Sequence, residues 1–204
     1  MAVVDVRATT GAAASSAAAR RRQPAAPVAP TAANQVWAYD FIFDTCADGR
    51  ILKCLTIVDE FTHECLAIDV AGSIRSARVI EVLIVLVSVH GAPRYLRSDD
   101  GPEFITTALL AWLTTGASDT AFIAPGKPWQ DGTDESFNGK VRDECLSLEW
   151  FQSRAEAKIV IEAWRRHFNS VRPHSSLGYL TPAEFVIKLA TDAAPVSATA
   201  GTLR

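Results

Sequence analysis

The octet "RSDDGPEF" at positions 97–104 sets Asp99, Asp100 and Glu103 around a Gly-Pro break. Like charges placed side by side repel one another, so the grouping asks for a cause. One cause is a solvated turn leading into a helix N-terminus, where the helix dipole welcomes acids. The other is a divalent cation, and that needs carboxylate partners from elsewhere in the chain. Two stand out. Asp40 interrupts the apolar run "VWAYDFIFD" between Tyr39 and Phe41, and a carboxylate in the middle of a buried strand is costly unless paired or metal-bound. Glu135 falls near the start of a predicted helix in "PWQDGTDESFNGKVRDEC". An Asp on a first strand, an Asp ending a later strand and a Glu on a helix are hard oxygen donors of the kind Mg²⁺ takes. Asp44, four residues beyond Asp40, shares its face of a regular strand and is the alternative to it.

These residues must be positioned by elements that the pattern makes visible. "QVWAYDFIFDTC" (35–46), "ILKCLTIVDEF" (51–61) and "ECLAIDVAG" (64–72) are rich in aromatic and β-branched residues. Short connections between them predict an antiparallel meander. "SARVIEVLIVLVSVHG" (76–91) predicts a helix stopped by Gly91 ahead of Pro93, although its valines are poor helix formers. "PRYLRS" (93–98) is a short strand delivering Asp99, and "PEFITTALLAWLTT" (102–115) a helix with Pro102 in its first turn. "TAFIA" (120–124) is a further strand, followed by helices over 133–148, 153–171 and 181–190. Ser153 with Glu156, and Thr181 with Glu184, carry the spacing of capping boxes. The expected fold class is α/β: a mixed five-stranded sheet with helices on both faces.

Residues 1–33 hold thirteen alanines, no aromatic residue and the triple arginine Arg20, Arg21 and Arg22. Such a segment buries too little apolar surface to offset its ordering entropy and reads as a disordered tail. Residues 191–204 read the same way, leaving a domain at 34–190. The chain carries a net charge of −3, and because its first 33 residues are at +3, the rest stands at −6. A nucleic-acid enzyme of that balance needs a local basic path or metal ions. The longest apolar run, Val82 to Val87, is far short of a membrane span. Cys46, Cys54, Cys65 and Cys145 lack C-x-x-C spacing, which points to reduced thiols in a cytoplasm. His63, His90, His167 and His174 form no metal-ligand spacing, and Trp112 and Trp164 fall on packing faces of helices.

Five stretches in order, "NQVWAYDF", "LTIVDEFTHECL", "RSDDGPEF", "APGKPWQDGTDESFNGKVRDECL" and "EAWRRHFNSVRPHSSLGYLTPAEF", resemble the integrase catalytic core of retroviral integrases and related insertion-sequence transposases. The resemblance runs from Asn34 to about Ile187. It implies a ribonuclease-H-like fold and selects Asp40, Asp99 and Glu135 as catalytic, metal-binding acids. It further implies Mg²⁺ or Mn²⁺ as cofactor, with two ions clamping the attacking and leaving oxygens of a phosphodiester. DNA is the implied partner, as element ends and as target, with a second copy of the chain or an upstream helix-turn-helix protein reading sequence. Lys127, Lys140 and Arg142 flank Glu135 as phosphate contacts, Asp59 reads as a supporting structural residue, and the loop of His174 is one that could lie near DNA. Asp100, Asp131 and Asp134 depart from relatives, which usually carry Asn in the first two places and an apolar or aromatic residue in the third. A helix-turn-helix region is not visible before the first strand. The expectation is therefore a cytoplasmic, nucleoid-associated transposase domain, whole or cut short, or alternatively a silent fragment that only oligomerises or binds the parent enzyme.

Overall fold

The computed structural model describes residues 29–98, 121–123 and 132–193. Strands β1 (Val36–Thr45), β2 (Ile51–Asp59) and β3 (Cys65–Ala71) come first, followed by helix α1 (Ser76–His90). Then come β4 (Tyr95–Arg97), β5 (Ala121–Ile123), α2 (Gly132–Glu144), α3 (Arg154–Ser170) and α4 (Pro182–Ala193). The sheet is ordered β3-β2-β1-β4-β5. β1, β2 and β3 pair antiparallel, whereas β4 lies parallel to β1, and β5 parallel to β4. The sheet is therefore mixed, with β1 at its centre.

Alternation along the strands divides the core in two. Trp37, Tyr39 and Phe41 of β1 pack with Leu55, Ile57 and Leu96 against Val79, Leu83 and Leu86 of α1. On the opposite face Ile42, Leu52, Cys54 and Val58 pack against Phe137 and Val141 of α2 and Ala157, Ile161 and Phe168 of α3. Asp40 alternates with the first set, so it belongs to the face covered by α2. Trp164 packs at the edge of that second cluster, its ring 5.9 Å from Phe137 and 5.1 Å from Phe168. Phe61 and Phe185, 5.8 Å apart, fasten α4 to the β2–β3 turn.

Several boundaries differ from expectation. The helix predicted over 133–148 ends at Glu144: Cys145 leaves helical geometry at φ −130 and ψ −65, and Leu146–Leu148 form a 3₁₀ turn. Cys145, Leu146 and Phe151 are all buried, and the chain turns there to put them in one core. The last helix continues past 190 to Ala193, so the C-terminal tail is not irregular from 191 onward. Its extra turn is held by the Lys188–Asp192 ion pair (2.7 Å) and by the Thr191 hydroxyl donating to the Ile187 carbonyl. Before β1, Thr31 donates its hydroxyl and its backbone N–H to the Gln35 side chain. The helix expected over 102–115, with Trp112, lies outside the described residues.

The capping signals take two forms. Thr181 and Glu184 bond reciprocally, Glu184 N–H to the Thr181 hydroxyl (3.2 Å) and Thr181 N–H to the Glu184 carboxylate (2.8 Å). Ser153 accepts from Glu156 N–H, but the Glu156 carboxylate reaches one residue further back, to Gln152 N–H. Among the described residues no helix is long and apolar enough to cross a membrane.

Candidate active site

Asp40 sits opposite Thr56 in the β1–β2 ladder, its side chain half-buried. One carboxylate oxygen accepts the Phe41 N–H (2.7 Å); the other accepts from the side-chain amide of Asn138 on α2. The Thr56 hydroxyl lies 3.1 Å from the Asn138 amide oxygen and 3.2 Å from the Asp40 carbonyl. Thr56 and Asn138 are buried. A buried amide must find partners for both ends, and Asn138 finds them on β1 and β2. It therefore fixes the roll of α2 against the sheet.

Glu135 comes one helical turn before Asn138 and shares its side of α2, since residues three apart are neighbours on a helix surface. Unlike Asn138, Glu135 is exposed. Arg142, two turns further along that side, is exposed as well. Lys140 projects to the other flank, where its ammonium meets the Ser136 hydroxyl at 3.1 Å. Lys140 and Arg142 thus diverge around the helix. Asp99, Asp100, Lys127 and Asp131 lie outside the described residues, as does the Asp134 side chain.

Asp44, the alternative to Asp40, shares its face but not its surroundings. It bonds the Thr45 N–H (2.8 Å) and borders a cavity of about 240 Å³ with Cys46, Leu146 and Trp150. Asp59 is structural, accepting the N–H groups of Asn34 (2.6 Å), Phe61 and Thr62 (both 2.9 Å) and so closing the β2–β3 turn.

Next to it, Arg97 at the end of β4 forms a buried ion pair with Glu60, one guanidinium nitrogen 2.7 and 2.8 Å from the two carboxylate oxygens. β4 runs parallel to β1 with Arg97 beside Ala38, and the following Ser98 is fully buried. The pair clamps the strand end just ahead of the "SDDG" segment. Neither it nor the Asn138 link was singled out in the sequence, because each joins residues far apart in the chain.

All four cysteines are buried and free. Burial pushes the Cys54 thiol up to about 12 and that of Cys145 to about 11, which disfavours the reactive thiolate. His90 packs edge-on against Trp37, and His167 is exposed on the last turn of α3. His174 is buried and packs with its ring 4.6 Å from Phe168. Among the described residues no three His, Cys, Asp or Glu side chains are grouped so as to hold a metal ion.

The chain matches the family described as Integrase core domain twice, over residues 30–128 and 117–182. It is 45% identical over 167 residues to the insertion element IS476 uncharacterized 39.2 kDa protein of Xanthomonas euvesicatoria, covering 82% of this chain and 48% of that one. It is also 45% identical over 159 residues to the insertion element IS407 uncharacterized 31.7 kDa protein of Burkholderia multivorans, covering 78% and 57%. The chain spans about half the length of these curated relatives. Among solved structures, the HTLV-2 integrase catalytic core domain in complex with magnesium superposes with a TM-score of 0.57 at 16% identity, over 74% of this chain and 95% of that one. A chain of the simian T-cell lymphotropic virus intasome gives 0.59 at 16% identity, over 74% and 54%. The shared fold is ribonuclease-H-like, a mixed sheet flanked by helices. By its sequence, the chain belongs to the integrase and transposase catalytic-core family of DDE type.

Proposed function

We propose that this chain is the catalytic domain of a bacterial DNA transposase that cuts phosphodiester bonds at the ends of a mobile element and joins the freed 3′-hydroxyls to target DNA. The observation that carries the reading is the Asn138–Asp40 contact. It docks the helix bearing Glu135 on the strand bearing Asp40. Asp99 follows β4 by two positions, and β4 is the parallel neighbour of β1. That docking supports grouping Asp40 with Glu135, and Asp99, two positions beyond the neighbouring strand, is the third acid of this reading.

Asp40, Asp99 and Glu135 would hold Mg²⁺ or Mn²⁺, two ions in all. The donors fit a hard cation: they are all carboxylate oxygens, and Asp40 and Glu135 both keep access to solvent. Magnesium accompanies the similar HTLV-2 core. When bound, such a pair of ions activates the attacking oxygen and offsets charge on the leaving oxygen. The protein's part is positioning. Asn138 and the Phe41 N–H orient the Asp40 carboxylate, Thr56 holds Asn138, and the Arg97–Glu60 pair anchors the strand end before Asp99.

Lys127, Lys140 and Arg142 supply phosphate contacts, which set DNA register without reading sequence. Recognition of the element ends then falls to a second copy of the chain or to an upstream helix-turn-helix protein. The insertion-element relatives, from bacteria, support action on the nucleoid in the cytoplasm. The test is strand joining: purified chain is incubated with Mg²⁺ or Mn²⁺, a labelled duplex bearing a free 3′-hydroxyl and a target duplex. Metal-dependent joined products are expected. Failure to cut or join any duplex in either metal would overturn the proposal.

A further inference from the structure

Ser136 and Asn138, two residues apart, project about 200° from each other around α2. Asn138 reaches Asp40, whereas Ser136 and Lys140 border a separate cavity of about 280 Å³. Its other polar walls are His63 from the β2–β3 turn and His174, Ser175 and Ser176 from the loop after α3, and Phe168 also lines it.

His174 is 6% exposed, and its Nε2 has no hydrogen-bond partner among the described residues. The Phe168 backbone favours the charged form of the ring. Buried polar atoms rarely go unpaired in native proteins, so Nε2 calls for a ligand. The loop that carries it is preformed: His174 N–H bonds the Leu180 carbonyl (3.0 Å) and Tyr179 N–H the His174 carbonyl (2.8 Å).

Charge around the cavity is one-sided. Burial disfavours the charged forms of Lys140, His63 and His174, and repulsion adds to it: from Arg172 on Lys140, from Lys140 on His63, and from Arg172, Lys140 and His63 on His174. Two carboxylates oppose this, and both are committed elsewhere. Glu144, which favours the charge on Lys140, is paired with Arg172 at 2.5 Å. Asp59, which favours the charge on His63, accepts three backbone N–H groups.

We infer that this cavity is a phosphate subsite that takes one backbone phosphate of the bound DNA, paired with Lys140 and hydrogen-bonded by His174 and Ser176. The inference rests on the DNA-processing reading above. Negative charge in the cavity offsets the Lys140 and Arg172 repulsion, so His174 takes a proton from solvent at Nε2 and donates it to a phosphate oxygen. Nε2 is then satisfied.

The test uses the full chain with Lys140→Gln and Ser176→Asp, changes at partly exposed and exposed positions, each checked for native circular dichroism. Inorganic phosphate is titrated while the His174 ring is followed by NMR, and affinity for a random duplex is measured over a salt series. Saturable movement of the His174 signals in wild type, absent in both variants, is expected. In DNA binding, Lys140→Gln should lower the salt slope by about 0.9 and the affinity about eightfold at 0.1 M salt. Should wild type bind DNA while the variants keep its slope and phosphate leaves His174 unmoved, the subsite is wrong and the DNA reading stands. Phosphate binding at His174 in a chain that binds no duplex would overturn the DNA-phosphate assignment and the DNA reading together.

Discussion

Asn138 of α2 donates its side-chain amide to the Asp40 carboxylate of β1, joining residues 98 positions apart. That bond, with the Thr56 hydroxyl behind it, orients the acid at the centre of the sheet. Asn138→Ala leaves Thr56 and Asp40 each short of a buried partner, so unfolding in urea should show a loss of about 1–3 kcal/mol. Metal-dependent cleavage should fall more than the stability loss explains. Asn138→Asp is expected to be worse without metal, because it sets a second carboxylate against Asp40, and added Mg²⁺ should recover part of its stability. Equal stability of the alanine and aspartate variants with and without Mg²⁺ would count against an orienting role.

The Arg97–Glu60 pair, with both side chains about 5% exposed or less, predicts a different signature. Removing one partner strands a buried charge and should cost about 3–5 kcal/mol. Arg97→Met combined with Glu60→Leu should recover much of that loss, because a buried ion pair and a well-packed apolar pair are often similar in stability. A double-mutant cycle by chemical unfolding checks this; additive losses would show that the two residues act separately.

His174 makes stability depend on pH. Burial, then Arg172, holds its pKa at about 4, below the ordinary imidazole value of 6.5. Between those values the unfolded chain binds more protons than the folded one, so stability rises with pH. The contribution is complete above 6.5 and is lost as pH falls towards 4. Thermal unfolding from pH 4 to 8 should show that rise, and His174→Gln should flatten it. An unchanged slope in the variant would assign the dependence to other groups.

Thr181→Ala removes the hydroxyl of a reciprocal capping box and should cost about 1 kcal/mol. Because α4 docks through Phe61 and Phe185, hydrogen exchange should rise first in α4 rather than in the sheet. Uniform acceleration would mean that α4 unfolds only with the whole domain.

Much of the frame was legible because its signals are local. Aromatic and β-branched residues marked β1, Gly91 (φ 82) stopped α1 where expected, and both capping pairs were visible as spacings. Asp40 drew attention as a charge within an apolar strand. Asn138 did not, since an asparagine in "SFNGK" reads as solvent-facing until the helix is laid on the sheet. The pairing of Arg97 with Glu60 and the meeting of His174 with Lys140 were hidden for the same reason: tertiary contact alone unites them. The early end of α2 escaped because burial of Cys145 and Leu146 outweighs the helical pattern around them.

The most direct measurement is metal-dependent DNA cleavage by Asp40→Asn, Asp99→Asn and Glu135→Gln, each shown to be folded by circular dichroism. Every change removes an anionic oxygen ligand at nearly constant shape. All three variants should lose cleavage in Mg²⁺ and Mn²⁺ while retaining the native spectrum. Cleavage within about tenfold of wild type, a barrier change of only about 1.4 kcal/mol, in any one of them would contradict that residue's place in the triad.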